Sequence, residues 1–554
     1  MPADKKNKNY AIFAGFFIFA ANYFFSAQTA KPFFIHEDDN SVSGIFAEDI
    51  DLGKNDNPLL KEFTVIEYPH NYDLNPHTAA YSAEAQILTG LYEGLFSYDP
   101  VTLEPKAALA KEFKVSRDKK RWTFILRDGI KFSDGSAITA DDVKESWLSL
   151  LANPAAPYSS LFDIVSGAKD FRTGKSGKDT VGITVQNPST LYVKLNTPAP
   201  HLHKILCMSA FAVIPERKDV YSGAFTLEKR ADDKIVLKKN ENYYDAENTQ
   251  LEKVTFLMSG DDAENTFAFN TGAAQWLNSS VELERLIDKD TIHLSAEFAT
   301  EYLFFKMNGG IWENAELRAA LLEAVPWEEL RKDVFVKAST FVYPLNGYPQ
   351  VQGYVYTDDD QARFMMKDAR SSAGIEENAT LKITFAVNGE RTKKQAELLK
   401  KAWEPLGVEL EVKEFASDSY LDSIQEDDSD IFSYTWIGDF ADPLAFLELY
   451  RSSSTLNISG WKNTEYDDLL VKAAELNGIE RIKLLSQAEQ LLLDSALIIP
   501  IQHPVSRSII DLNTVGGWAS NSFDIHPLKY IFRRESKPNL PNVVKAPAFI
   551  VSFD

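Results

Sequence analysis

Trp122-Thr-Phe-Ile-Leu-Arg-Asp-Gly-Ile-Lys-Phe-Ser-Asp-Gly135 is the stretch on which the fold reading turns. From Trp122 to Leu126 apolar side chains recur at every second position, the period of a strand with one face in a core. Asp128-Gly129 and Asp134-Gly135 are turn dipeptides, because glycine enters φ > 0 without a Cβ clash. They bracket a second short apolar run at 130–132, so a β-meander is predicted. Thr139 then precedes Ala140-Asp-Asp-Val143, with an acid three residues on. That is the signature of a capped helix start, and the helix is expected to run to about Leu151.

Outward from this stretch the pattern alternates between strand and helix. Residues 63–68 read as a strand and 82–92 as a helix ending at Gly94. Further strands are expected at 182–185, 191–195, 235–239 and 253–258. In the second half, apolar spacing of three and four marks helices at 314–324, 393–403, 465–475 and 479–493. Strands at 381–387, 408–415 and 498–502 lie between them. Strands alternating with helices argue for α/β lobes. No period of 20–50 residues recurs, which excludes a solenoid.

At 554 residues the chain is too long for a single core, so two or more lobes follow, and with them room for a cleft. Its 44% hydrophobic and 25% charged residues exclude fibrous and disordered classes. The 58 Lys+Arg against 81 Asp+Glu, a net charge of −23, repel phosphate backbones, so no nucleic-acid partner is expected. Aromatic residues at 12% suit a pocket lining. The single cysteine, Cys207, forms no disulfide or multi-Cys zinc site, and its apolar neighbours mark it as a buried structural thiol.

Motifs that carry chemistry are missing. There is no HExxH and no GxSxG, and Lys169-Asp-Phe-Arg-Thr-Gly-Lys-Ser176 lacks the first glycine of a phosphate loop. His201-x-His203 is the one pair with a metal-ligand look, and such pairs are mostly structural or surface groups. No metal, cofactor or catalytic residue is assigned, and among the 81 Asp+Glu nothing singles out a catalytic carboxylate pair.

The N-terminus carries Lys5, Lys6 and Lys8 ahead of an apolar run at 10–25. This reads as a cleaved secretion signal or, alternatively, a retained anchor; it is short against the roughly 20 residues a spanning helix needs. No cysteine there permits a lipoprotein anchor. Residues 1–30 are thus signal or anchor, 31–60 an acidic, turn-rich linker, and 536–554 a loosely held tail.

Several segments, in order, carry a family likeness. The strongest are Gly90-Leu-Tyr-Glu-Gly-Leu-Phe96 and the opening stretch with its continuation to Val143, then Ser146-Trp147. Weaker ones are Gly223-Ala-Phe225, Ile235-Val-Leu-Lys-Lys-Asn240 with Tyr243, Trp436-Ile-Gly-Asp-Phe-Ala-Asp-Pro443 and Ile499-Pro-Ile501. Over residues 61–535 the sequence resembles the family 5 extracellular solute-binding proteins, the oligopeptide and dipeptide receptors of ABC importers. The resemblance implies an α/β, two-lobed periplasmic-binding-protein-like fold of type II, with an additional subdomain inserted in the N-terminal lobe. It assigns 60–95, 215–300 and 503–535 to lobe I, 96–214 to the inserted subdomain and 301–502 to lobe II. A hinge of at least two strands would permit rigid closure.

The implied function is capture of short peptides between the lobes and delivery to the transmembrane subunits of a membrane permease. The receptor would be a periplasmic monomer, held at the membrane only by the permease or by an uncleaved segment at 10–25. The alternative is a membrane-tethered ligand sensor, or a binder of a non-peptide solute such as a metal chelate, haem or opine. Carried over from the family, Asp439 pairs with the ligand's α-amino group, while Trp436, Tyr158 and Tyr243 line the cleft. Ser222, Gly223 and Ala224 match the loop whose backbone pairs with the ligand as an added strand. Where characterised oligopeptide binders hold the ligand carboxylate with His and Arg, this sequence has Thr392 and Ser433, so the carboxylate is held differently or the ligand differs.

Overall fold

The computed structural model describes residues 57–199, 201–345, 347–416, 419–438, 440, 442–476 and 478–535. The 1–30 signal or anchor, nearly all of the 31–60 linker and the 536–554 tail lie outside them. Three sheets of four or more strands organise the chain. It opens with β1 (Glu62–Glu67) and α1 (Ser82–Leu91), then leaves to build a separate antiparallel sheet. That sheet uses β2 (Ala110–Val115), β3 (Arg121–Leu126), β4 (Ile183–Asn187) and β5 (Thr190–Lys194), in the order β2-β3-β5-β4. α2 (Ala140–Ala152) packs on β4 and β5.

On return, the chain adds β6 (Phe225–Ala231), β7 (Lys234–Lys239), β8 (Lys253–Met258), β9 (Trp276–Leu277) and β10 (Ile292–Ala296) beside β1. It then crosses to a second lobe made of β11 (Ala299–Phe305), β12 (Leu381–Val387), α3 (Glu390–Trp403), β13 (Val408–Glu414) and β14 (Ile431–Ile437). α4 (Thr464–Glu475), α5 (Gly478–Asp494) and β15 (Ile498–Gln502) follow, and β16 (Val505–Ile510) returns to lobe I. The lobe I sheet runs β10-β16-β9-β1-β8-β7-β6, and the lobe II sheet β13-β12-β14-β11-β15. The molecule is therefore a two-lobed α/β protein whose chain crosses at 297–298 and at 503–504. The crossings touch: the Glu297 N–H donates to the Pro504 carbonyl at 3.0 Å.

Local signals act as their chemistry requires. The Thr139 N–H donates to Asp142 Oδ2 at 2.7 Å, so helix α2 starts on a closed capping box, worth about 1 kcal/mol. Gly129 and Gly135 take φ of +69° and +84°. The meander is shorter than its apolar alternation implies: 130–132 contributes only an isolated bridge, Lys131 to Ala137. Two positive-φ turns this close leave no length for a ladder, and β3 pairs with β2 and β5 instead.

Candidate functional site: the cleft between the lobes

A cavity of about 410 Å³ lies where three parts of the chain meet. Lobe I supplies residues 79–82 with Ala85 and Thr89 of α1; the four-stranded unit supplies Tyr98, Tyr158 and residues 207–210. Lobe II supplies Tyr420 and residues 433–437. The volume suits a small ligand or short peptide. Among the described residues, no lining side chain is charged.

Each wall has a local cause. Glu84, 2% exposed, accepts hydrogen bonds from the N–H groups of Asp73 (2.7 Å), Ala80 (2.9 Å) and Tyr81 (3.0 Å), and pairs with His70 at 3.0 Å. One buried carboxylate thus pins the strip 79–82 against the cleft, its own charge met by N–H donors. On the opposite wall, β14 pairs with β11 along its whole length but with β12 only at Ile431 and Phe432. From Ser433 to Ile437 its other edge has no strand beside it among the described residues, and this segment faces the cavity. Such an edge is a template for an extended ligand.

Trp436 and Tyr158 are brought together at the cavity, with ring centroids 6.4 Å apart. The Trp436 Nε1–H donates to the Ala445 carbonyl at 2.7 Å, which fixes the indole as a wall rather than a free flap. Asp439 lies outside the described residues.

Tyr243 and residues 222–224 sit elsewhere, in the core of lobe I. The Tyr243 hydroxyl donates to Glu93, whose carboxylate pairs with Lys529 Nζ at 2.7 Å, both side chains being buried. Ser222 Oγ accepts the Glu93 N–H at 3.0 Å. The Gly223 N–H donates to the Leu91 carbonyl at 2.9 Å, its own carbonyl accepts from Asn240 Nδ2 at 2.8 Å, and the Ala224 carbonyl accepts the Asn240 N–H at 2.8 Å. A Cβ on Gly223 would lie 2.4 Å from the Gly90 carbonyl oxygen, so the glycine lets α1 approach this loop.

Ser433 lines the cavity and donates its N–H to the Tyr420 hydroxyl at 2.8 Å. Thr392 is buried in the first turn of α3, where its Oγ1 accepts the Asn388 N–H at 3.0 Å. Cys207 is half-buried on the cavity wall, and burial holds its thiol well above the ordinary range. The two histidines of the His201-x-His203 pair part company: His201 stacks on Phe440 at 5.6 Å, His203 on Trp122 at 5.8 Å. Among the described residues no group of three His, Cys, Asp or Glu is placed to hold a metal. Tyr98, Tyr420, Tyr434 and Phe523 are lining residues that sequence reasoning missed. Tyr434 alone had a signal, since it alternates with Trp436 along β14.

The four-stranded unit and lobe II are latched to each other beyond the cavity. The Ser160 N–H donates to Thr455 Oγ1 at 3.2 Å, the Thr455 N–H donates to Ser160 Oγ at 3.1 Å, and Thr455 Oγ1 donates to the Pro157 carbonyl. Arg172, held by Asp163 at 2.6 Å, donates to the Ser453 carbonyl at 3.1 Å. These contacts join the four-stranded unit directly to lobe II.

Two lobes joined by paired crossings, with a ligand-sized cavity between them, define a hinged ligand receptor. The chain belongs to the bacterial extracellular solute-binding proteins, family 5, whose "Middle" model matches residues 104–457. It is 27% identical over 429 residues to the dipeptide-binding protein DppE of Bacillus subtilis, covering 72% of this chain and 78% of that one. The structure of the Escherichia coli murein tripeptide binding protein MppA aligns with a TM-score of 0.76 at 24% identity, covering 86% of this chain and 99% of that one. Against the unliganded open form of MppA the score is 0.61, at 25% identity over 85% of this chain and 97% of that one.

Proposed function

We propose that this protein is the peptide-capturing receptor of an ABC importer. It acts outside the cytoplasmic membrane, in the periplasm, hands its ligand to the permease and performs no chemistry. The observation that carries this reading is the open edge of β14 at 433–437, facing the strip 79–82 across a neutral, aromatic-walled cavity. Main-chain groups of an extended peptide find partners along such an edge whatever their side chains, while Trp436 and Tyr158 offer apolar faces to those side chains. DppE and MppA, by name a dipeptide and a murein tripeptide binder, support a peptide as the ligand class. Among the described residues no helix is long and apolar enough to cross a membrane.

Asp439, three residues beyond Trp436, is the proposed partner of the peptide's α-ammonium, on the strength of the family likeness. Calorimetry with a short-peptide library, paired with native mass spectrometry of protein from its own host, tests the reading. Asp439→Ala is expected to weaken peptide binding by about 100-fold or more, because stranding a buried ammonium costs roughly 3–5 kcal/mol. Equal affinity for free and N-acetylated peptide would remove Asp439 from the site. Failure of every peptide to bind would remove the function.

A further inference from the structure

A second cavity, of about 740 Å³, adjoins the first at the hinge; Tyr81 and Ser82 line both. Glu67 at the end of β1, Glu297 at the first crossing and Asp524 all face it. Glu67 is 4% exposed and accepts one hydrogen bond, from Asn278 Nδ2 at 3.1 Å. Glu297 is 9% exposed, and its carboxylate has no hydrogen-bond or ion-pair partner among the described residues; the nearest charge acting on it is the like charge of Asp524. Asp524 lies 3.5 Å from His526 Nε2. Tyr68, Tyr72 and Tyr81 supply aromatic walls, with Phe335 of lobe II at the edge.

Acids gathered in a partly desolvated chamber, one of them without a partner, invite a cation, and aromatic faces favour one too. We propose that this chamber is a cation subsite of the ligand site, taking the ammonium or guanidinium of a basic side chain on a peptide seated in the cleft. This rests on the peptide reading above and adds a side-chain preference to it. Burial, aided by the like charge of Asp524, holds Glu67 and Glu297 up at about 8, with the Asn278 hydrogen bond opposing at Glu67. Both keep a proton near neutral pH, which spares the two buried side chains a negative charge. The other titratable or charged groups on its walls are His70, tied to Glu84, and the exposed Arg507 of β16. An arriving cation draws the two glutamates to ionise, and protons leave as it binds.

The test is calorimetry at pH 7 in two buffers of different ionisation enthalpy. It uses alanine-based peptides carrying Lys at one position at a time, each against its norleucine counterpart, which keeps the stem and drops the ammonium. At one position Lys is expected to bind at least about 10-fold tighter than norleucine, with proton release. Glu67→Gln and Glu297→Gln should reduce that preference while leaving the norleucine peptide's affinity unchanged. Equal binding of Lys and norleucine peptides at every position overturns the subsite and leaves the peptide reading standing. A Lys preference that survives both Gln variants also overturns it. Spermidine binding alone, lost in Glu297→Gln and competing with no peptide, would assign the chamber to a free polyamine and overturn the side-chain assignment. If neither peptide of any pair binds, the peptide reading falls and this subsite with it.

Discussion

Thr455→Val tests whether the latch between the four-stranded unit and lobe II contributes to ligand retention. Valine keeps the shape and removes one hydroxyl, which accepts the Ser160 N–H at 3.2 Å and donates to the Pro157 carbonyl. Ser160 is 3% exposed, so in the closed form its amide is left without that acceptor and out of reach of solvent. In the open form the same groups meet water and lose nothing. Two hydrogen bonds at about 0.5–1.5 kcal/mol each give about 1–3 kcal/mol, charged wholly to closure. That converts to roughly a 5- to 150-fold weaker apparent Kd. Stopped-flow fluorescence should place the change in the off-rate, because encounter occurs with the open form. Thr455→Ser restores the hydroxyl and should restore affinity. An unchanged off-rate in Thr455→Val, or a lowered melting temperature of the ligand-free protein with no change in Kd, would refute the latch.

Two further outcomes are expected. Breaking the buried Glu93–Lys529 pair by Lys529→Met leaves a carboxylate in the lobe I core whose one remaining side-chain partner among the described residues is the Tyr243 hydroxyl, and should cost about 3–5 kcal/mol in denaturant unfolding; a loss below about 1 kcal/mol would place the pair in contact with water. His201, half-buried and stacked on Phe440, is held down to about 4 by burial and by the nearby Arg481, with Asp442 opposing. Its depressed value means the open form takes up a proton first, so closure is full above the ordinary histidine value of about 6.5 and is lost as pH falls toward 4. Affinity should therefore drop across that window in the wild type and drop less in His201→Phe; parallel pH profiles would dismiss the histidine.

Much of the secondary structure was legible in sequence because its causes are local. The strand at 381–387, the helix starts at Ser82 and Thr139 and the turns at Gly129 and Gly135 follow from period, cap and φ. The crossing strand β11 was missed because all seven of its residues are buried, so no alternation marks it. β14 was missed for a related reason: its sequence serves a core on one side and a cavity on the other, and only Tyr434 and Trp436 hint at period two.

Chain length and local periodicity were enough to specify more than one α/β lobe, since these depend on residue count and short-range geometry, while the two-lobed receptor fold and its solute-binding role came from the family likeness of the ordered motifs. Residues 222–224 and Tyr243 show where such reasoning stops, for their hydrogen bonds run to Leu91, Glu93 and Asn240, and no short-range signal announces that. The cavity brings residue 79 within reach of residue 437, and the acidic chamber gathers residues 67, 297 and 524. Burial is a property of the assembled lobes, so which carboxylates lose water, and hence which of them can receive a cation, came only from the three-dimensional arrangement.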